Sequence, residues 1–420
     1  MKQIVLINHS DTRGGAAVVT YRLMEALCRC GVDARMVVMH KYSDNPRVDA
    51  VGGSLRARLS FLAEHAEIFA RNGFSRENLF KISTARFGVP LHRHPWVRQA
   101  DAVCLNWVNQ GMLSVGGLRR ICSMAKPVAW TMHDMWCMTG LCHHAGTCQR
   151  FRTVCGNCPL LGRGASARDL STTVFNSKKK LYAGTKIRFV AVSNWLAAKC
   201  RESALLRDAD VSVIPNAFPV SDFGPLPQFS RRDLGLPEAV PLVVMGAARL
   251  DDPVKNLPLA VESLNYLARM DLNPKPTVVF FGDIRDAHAL DTLALPHILL
   301  GPVSDRRRLA SIYAHADAVL STSLYETLPG TLIEGIASGA MAVATGRGGQ
   351  ADIITPGVTG FIDPGDDNPR RLAEYLSRAI RMQQAEGVTR RRNLHAEMVR
   401  RFEADAVARR YISLLFGDDA

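Results

Sequence analysis

Short apolar runs recur along this chain, with enough sequence between them for a helix. They come in two series. The first holds Ile4–Asn8, Val32–His40, Ala102–Leu105, Val128–Met132, Ile187–Ser193 and Val211–Pro215. The second holds Leu242–Ala247, Thr277–Phe281, His297–Leu300, Ala318–Ser321 and Met341–Thr345. Continuous runs this short suit strands buried on both faces. A helix is predicted from about Ala16 to Cys30, where Val19, Leu23, Ala26 and Leu27 fall at helical spacing and Gly31 stops it. Leu257–Met270 and Asp305–His315 read as helices in the second series. Strand, helix and strand in alternation predict doubly wound parallel sheets. Pro and Gly concentrate between Pro215 and Pro241. The prediction is therefore two α/β halves joined near 216–240, followed by a helical stretch over about 370–416. Residues 52–95 read as mostly helical and polar, without legible chemistry.

A length of 420 residues allows two to three domains. No run reaches the ~18 apolar residues of a membrane-spanning helix. The first apolar run is too short for a signal peptide and lacks a small-residue cleavage site, so a cytoplasmic protein is expected. The net charge of +13 suits nucleic acid, an anionic membrane surface or a phosphorylated ligand. Much of the excess lies in Arg378, Arg381, Arg390, Arg391, Arg392, Arg400 and Arg401. That stretch reads either as a solvated helix face or as weak docking to anionic lipid at the inner face of the membrane. No aromatic platform accompanies it, so nucleic acid is not an expected partner.

The chemistry-bearing residues fall at strand ends. Gly14-Gly15 follows the first strand and opens the first helix, where backbone N–H groups can approach an anion. His133-Asp134 follows Val128–Met132. Arg249 ends a strand of the second half, with Lys255 six residues on; a planar fork and a point charge together suit a diphosphate. Glu326 and Glu334 are separated by seven residues across a strand-to-helix turn. A carboxylate near a helix start accepts well from vicinal hydroxyls, as in dinucleotide-binding folds. Between the two acids, Leu328-Pro329-Gly330-Thr331 opens a helix over Thr331–Ser338, whose first N–H groups can hold phosphate. Taken singly, each motif also has a structural explanation: a tight turn, a satisfied core histidine, a surface ion pair, or charge compensation at a helix start.

Of the ten cysteines, Cys142, Cys148, Cys155 and Cys158 form a C-x5-C-x6-C-x2-C cluster. Its last pair has zinc-knuckle spacing and its first pair is wider than usual. Structural zinc, free buried thiols and disulfides all remain readings of it. No catalytic metal is expected, because cationic side chains already serve a diphosphate.

These motifs resemble the retaining glycosyltransferases of family 4. The resemblance rests on Gly14-Gly15, His133-Asp134, Ile214-Pro215-Asn216, Arg249 with Lys255, Asp305 through Asp317, Glu326/Glu334 and Gly348 through Ile353. It covers nearly the whole chain. Around the cysteines it looks like the bacterial capsule and exopolysaccharide enzymes. The resemblance implies the α/β GT-B fold, with two Rossmann-like doubly wound domains facing a central cleft. The expected parts are an acceptor-side domain over 1–218 with a Cys-rich insertion at about 136–160, a nucleotide-sugar domain over 219–395, and a C-terminal helix over 396–420 packing back on the first domain. It also implies roles. Arg249 and Lys255 would bind the donor diphosphate, Glu334 the ribose, and Glu326 the donor sugar or its phosphate. His133 would contact the transferred sugar, and Gly15 would face the diphosphate or sugar. The implied reaction moves a hexosyl unit from a nucleoside diphosphate sugar to a glycan or lipid-linked acceptor, with retention. Leu328-Pro329-Gly330 departs from the commoner Gly-Phe-Gly. Two alternatives are a sugar-nucleotide epimerase of the same fold and a zinc-containing basic nucleic-acid binder.

Overall fold

The computed structural model describes residues 1–417. It divides into two compact units, one of Met1–Ala217 with the segment from Ala404 onward, the other of Phe218–Glu403.

The first unit is built on a seven-stranded sheet. Its strands are β1 (Gln3–Ser10), β2 (Asp33–His40), β3 (Val48–Ala50), β4 (Ala102–Leu105), β5 (Val128–Met132), β6 (Ile187–Ala191) and β7 (Val211–Val213). Their order is β3-β2-β1-β4-β5-β6-β7 and every pairing is parallel. β1 is central, with Leu6 opposite Met36 on one side and Cys104 on the other. Parallel strands need covered faces, which explains the unbroken apolar runs. One cover is helix Gly15–Arg29, whose Leu23, Met24, Ala26 and Leu27 pack on Ile4, Leu6 and Met36. Helix Ala404–Phe416 joins the same core through Ala404, Val407, Ala408, Tyr411 and Leu415.

The second unit has six parallel strands: β8 (Leu242–Arg249), β9 (Thr277–Asp283), β10 (His297–Leu299), β11 (Ala318–Ser321), β12 (Met341–Thr345) and β13 (Gly360–Asp363). Their order is β10-β9-β8-β11-β12-β13. In both sheets the strand order reverses at one place, between β1 and β4 and between β8 and β11. In open α/β sheets, ligands sit outside the carboxyl ends of the strands at such a point.

Two expectations differ from the structure. The chain returns to the first unit at Glu403/Ala404, not at 395/396, which falls inside the helix Pro369–Phe402. In the segment 52–95 the helices are Leu55–Arg71 and a turn-length run at its end, with loops between. In the Arg-rich stretch Arg378, Arg381, Arg392 and Arg400 are exposed, as on a solvated helix face, and several of the arginines also find partners in their own unit. Arg391 donates to Ala314 O and faces Asp317, Arg401 reaches the carbonyls of Ile353 and Asp352, Arg381 reaches Asp271 O, and Arg390 and Arg400 pair with Glu386 and Glu397. No described helix is long and apolar enough to cross a membrane.

Candidate active site

In the second unit, the loops that leave β8 and β11 bring together residues far apart in sequence. β8 carries a register shift between Gly246 and Arg249. Gly246 lies so close to the Phe281 ring that a Cβ would stand 1.9 Å from it. A bulge at a strand end turns the following side chain, here Arg249. Its guanidinium lies 3.4 Å from Asp251 Oδ1 and 3.3 Å from Asp252 Oδ2. Buried Arg249 Nε nevertheless makes no hydrogen bond, nor does Asp251 Oδ1. This guanidinium is held by charge rather than by directed bonds, and it can exchange partners with an incoming anion at small cost.

Lys255 stands on a single turn that ends at Asn256, a left-handed residue with φ 52°. Thr322, just past β11, fixes that turn by donating to Lys255 O at 2.9 Å and Asn256 O at 3.1 Å. Lys255 Nζ forms an ion pair with Glu326 Oε1, and Ser323 Oγ donates to the same oxygen at 3.3 Å. The loop after β12 holds Glu326 from behind. Gly349 N–H donates to Glu326 O at 2.7 Å. Gly348 has φ +91°, and a Cβ there would lie 2.2 Å from the same oxygen. Buried Gln350 ties the loops together by donating to Ser323 O, Thr345 Oγ1 and Arg347 O.

The helix after Glu326 starts at Gly330 rather than Thr331 and runs to Ala337. Leu328 is buried, and Pro329 precedes the first turn without any side-chain cap. Glu334 lies one turn in, its Oε1 4.0 Å from where a Cβ on Gly330 would stand. The structure thus joins Lys255 to Glu326 directly, places Arg249 on the same loop against Asp251 and Asp252, and sets Glu334 beside the start of the next helix.

In the first unit, Gly14 has φ +97° and nothing lies within 4 Å of a Cβ built on Gly14 or Gly15. The helix that opens there has no side-chain cap. β1 and β4 are tied at their ends, with His9 N–H donating to Trp107 O at 2.8 Å and Trp107 N–H to Asn8 Oδ1 at 2.9 Å. His133 directly follows β5, and its Nε2 lies 3.0 Å from Asn106 Oδ1. Asn106 Nδ2 donates to Cys104 O, which leaves Oδ1 as acceptor for the His133 Nε2–H. Burial lowers the His133 pKa to about 4, against the attraction of Asp134.

Sequence reasoning took Asp134 only as a neighbour of His133 and missed what surrounds it. Asp134 accepts from Trp107 Nε1 at 2.9 Å, Trp136 N–H at 2.7 Å and His143 Nδ1 at 2.7 Å. Burial opposes its charge, yet the His143 ring and these hydrogen bonds hold its pKa at about 2. His143 completes the chain through Ser83 Oγ at 3.2 Å. The usable signal was the run from His133 to His143, two histidines flanking an acid at a strand end.

The zinc expectation for Cys142, Cys148, Cys155 and Cys158 is not supported. Among the described residues no three His, Cys, Asp or Glu side chains converge as a metal site, and all ten cysteines are free thiols. Burial pushes Cys142 up to about 12 and Cys158 up to about 11, so both stay protonated. They pack with Ile68, Ile82, Leu141, Leu161 and Val174, while Cys155 Sγ accepts from Gly140 N–H at 3.2 Å. The Cys-rich segment is a packed apolar support that brings His143 to Asp134.

Comparison with known proteins bears on the fold. Over 99% of the chain, the structure is similar to sucrose-phosphate synthase from Thermosynechococcus elongatus, with TM-score 0.64, 17% identity and 98% of that protein covered. It is similar to the Anabaena protein HepE, solved in complex with UDP and with UDP-glucose, at TM-score 0.62 and 17% identity with 99% of each chain covered. The fold is GT-B. Within the second GT-B domain, residues 228–397 match the family described as Glycosyl transferases group 1. A GDP-mannose-dependent alpha-mannosyltransferase of Mycobacterium tuberculosis (strain CDC 1551 / Oshkosh) is 28% identical over 117 residues. That match spans 28% of this chain and about a third, 31%, of the relative.

Proposed function

We propose that this GT-B protein transfers a hexosyl unit from a nucleoside diphosphate sugar to a glycan or lipid-linked acceptor, with retention at the anomeric carbon. The observation that carries the reading is the Lys255–Glu326 ion pair at the reversal point of the second sheet, with Arg249 on the same loop. The group 1 match spans that sheet, and two similar structures hold UDP and UDP-glucose.

On this reading the leaving diphosphate replaces carboxylates as the partner of two cations. Arg249 exchanges Asp251 and Asp252 for phosphate oxygens, and Lys255 adds a second charge. The uncapped helix start at Gly330-Thr331 directs N–H groups at the same charge. As the bond from the anomeric carbon to the diphosphate oxygen breaks, negative charge grows where these groups already point, which lowers the barrier. The acceptor oxygen forms its bond on the face the diphosphate leaves, and its proton passes to the departing phosphate. Glu334 accepts from the ribose hydroxyls and Glu326 faces the donor sugar. Neutral His133 contacts a hydroxyl of the transferred sugar. Gly14 and Gly15 leave space for the donor's sugar or diphosphate. The exopolysaccharide setting follows from the sequence resemblance alone.

The test is a thermal-shift series with UDP, GDP, ADP and dTDP. One nucleotide at ~100 times its Kd should stabilise the protein by roughly 2.7 kcal/mol, and Arg249→Ala should lose the shift while melting normally without ligand. No shift with any nucleotide would overturn the reading.

A further inference from the structure

Helix Leu55–Arg71 has its polarity reversed. Its packed face is Ala57, Ser60, Glu64 and Ile68. That face is anchored by polar bonds: Ser60 Oγ donates to Gly111 O at 2.7 Å, and buried Glu64 accepts from the N–H groups of Thr84 and Ala85. At about 100° per residue, Leu55, Leu59, Leu62 and Ala66 fall on the opposite side. The three leucines are 72%, 55% and 60% exposed. Phe74 and Phe80, just past the helix, are 72% and 69% exposed. Phe80 extends the patch through His65, whose ring lies between those of Phe61 and Phe80 at 4.0 and 5.0 Å. An exposed apolar patch of this kind marks an interaction surface.

Its charge says what covers it. Arg56 and Arg58 flank the stripe on either side, and Arg71, Arg76 and Lys81 lie along the segment that carries Phe74 and Phe80, all exposed. Within 54–81 the only exposed carboxylate is Glu77; Glu64 is buried and Glu67 is paired with Arg86. A second copy of the chain would set this cationic rim against itself in a two-fold contact. Nucleic acid has no use for a stripe of leucines. A bilayer with anionic headgroups satisfies both halves, taking the leucines and phenylalanines into the acyl boundary while the arginines meet phosphate.

We infer that the outer face of helix Leu55–Arg71, with Phe74 and Phe80, docks this protein on an anionic membrane surface. This deepens the acceptor side of the proposed transfer, on which its purpose rests but its binding chemistry does not.

The test is flotation of the purified full chain with vesicles of phosphatidylcholine plus phosphatidylglycerol, against phosphatidylcholine alone, at low and high salt. Binding should require the anionic lipid and weaken with salt. Leu59→Ser with Leu62→Ser should weaken it at least about tenfold, and Arg56→Glu with Arg58→Glu by roughly tenfold. Both pairs are exposed, and both should keep the wild-type melting temperature and nucleotide-induced shift. The inference is overturned by absence of binding to anionic vesicles or by binding that neither pair alters. It is equally overturned by a dimer in light scattering that the leucine substitutions dissociate. A chain that binds vesicles without any nucleotide shift would retain this inference and lose the transferase reading.

Discussion

His133 and Asp134 are neighbours in sequence with opposite fates. Burial takes the proton off the histidine, while His143 and N–H donors keep the acid charged. The consequence for stability has a definite sign. Between about 4 and 6.5 the unfolded chain holds a proton on His133 that the folded chain lacks. The folded state therefore gains stability as pH rises through that window and loses it as pH falls. His9, lowered to about 4 by burial and His40, acts in the same direction. His133→Gln should flatten the acid side of a melting-temperature profile between pH 4 and 6.5, and an unchanged slope would place the titration elsewhere. At Gly348, a Cβ collides with Glu326 O and the positive φ adds strain. Gly348→Ala should thus displace Glu326 and reduce turnover by roughly a hundred- to thousand-fold, with the fold retained by circular dichroism. Residue by residue, the sequence showed Arg249, Lys255 and the two glutamates as charges at useful spacing. It did not show that Asp251 and Asp252 hold Arg249, because a turn places them there. Nor did cysteine spacing reveal that burial would keep the thiols protonated.

Strands were the most legible elements, since a strand buried on both faces must be continuously apolar. β3 (Val48-Asp49-Ala50) and β13 (Gly360–Asp363) escaped notice because edge strands this short bear little pattern. Helical character was legible over 52–95, but the bounds and orientation of helix Leu55–Arg71 were not. Hydrophobic periodicity assigns the apolar stripe to the core, and here buried Glu64 and Ser60 invert the assignment. Helix Ala404–Phe416 can be tested directly. Tyr411 is fully enclosed, and its hydroxyl shares a 2.8 Å hydrogen bond with Thr131 Oγ1 on β5. Tyr411→Phe leaves a buried hydroxyl without its partner and should destabilise the first unit by ~1–3 kcal/mol, read as a lower denaturant midpoint at unchanged slope.

The whole chain is two units, and the first is discontinuous in sequence. Removing everything after Glu403 takes Val407, Ala408, Tyr411 and Leu415 out of one core and nothing out of the other. Calorimetry of that truncation should show the first unit melting earlier, while the second unit's transition keeps its nucleotide-induced shift. An equal fall in both would contradict the assignment of the last helix. The Pro- and Gly-rich stretch announced the first passage between units. The second passage was misplaced because helical periodicity continues through Phe402, and only the break at Glu403 separates what belongs to each core.

Phe218 N–H donates to Phe402 O at 3.1 Å, so the inserted unit begins and ends at adjacent points. That arrangement orders events at the ribosome. The first sheet emerges early but lacks the helix that closes one of its faces. At roughly 5–20 residues per second, the ribosome makes the whole inserted unit before that helix appears, a wait of about ten to forty seconds. The nascent first half therefore carries Leu6, Leu27 and Met36 partly uncovered through most of synthesis. Helix Ala404–Phe416 completes that core, and a stop codon shortly before it would leave a chaperone client rather than a shorter folded chain.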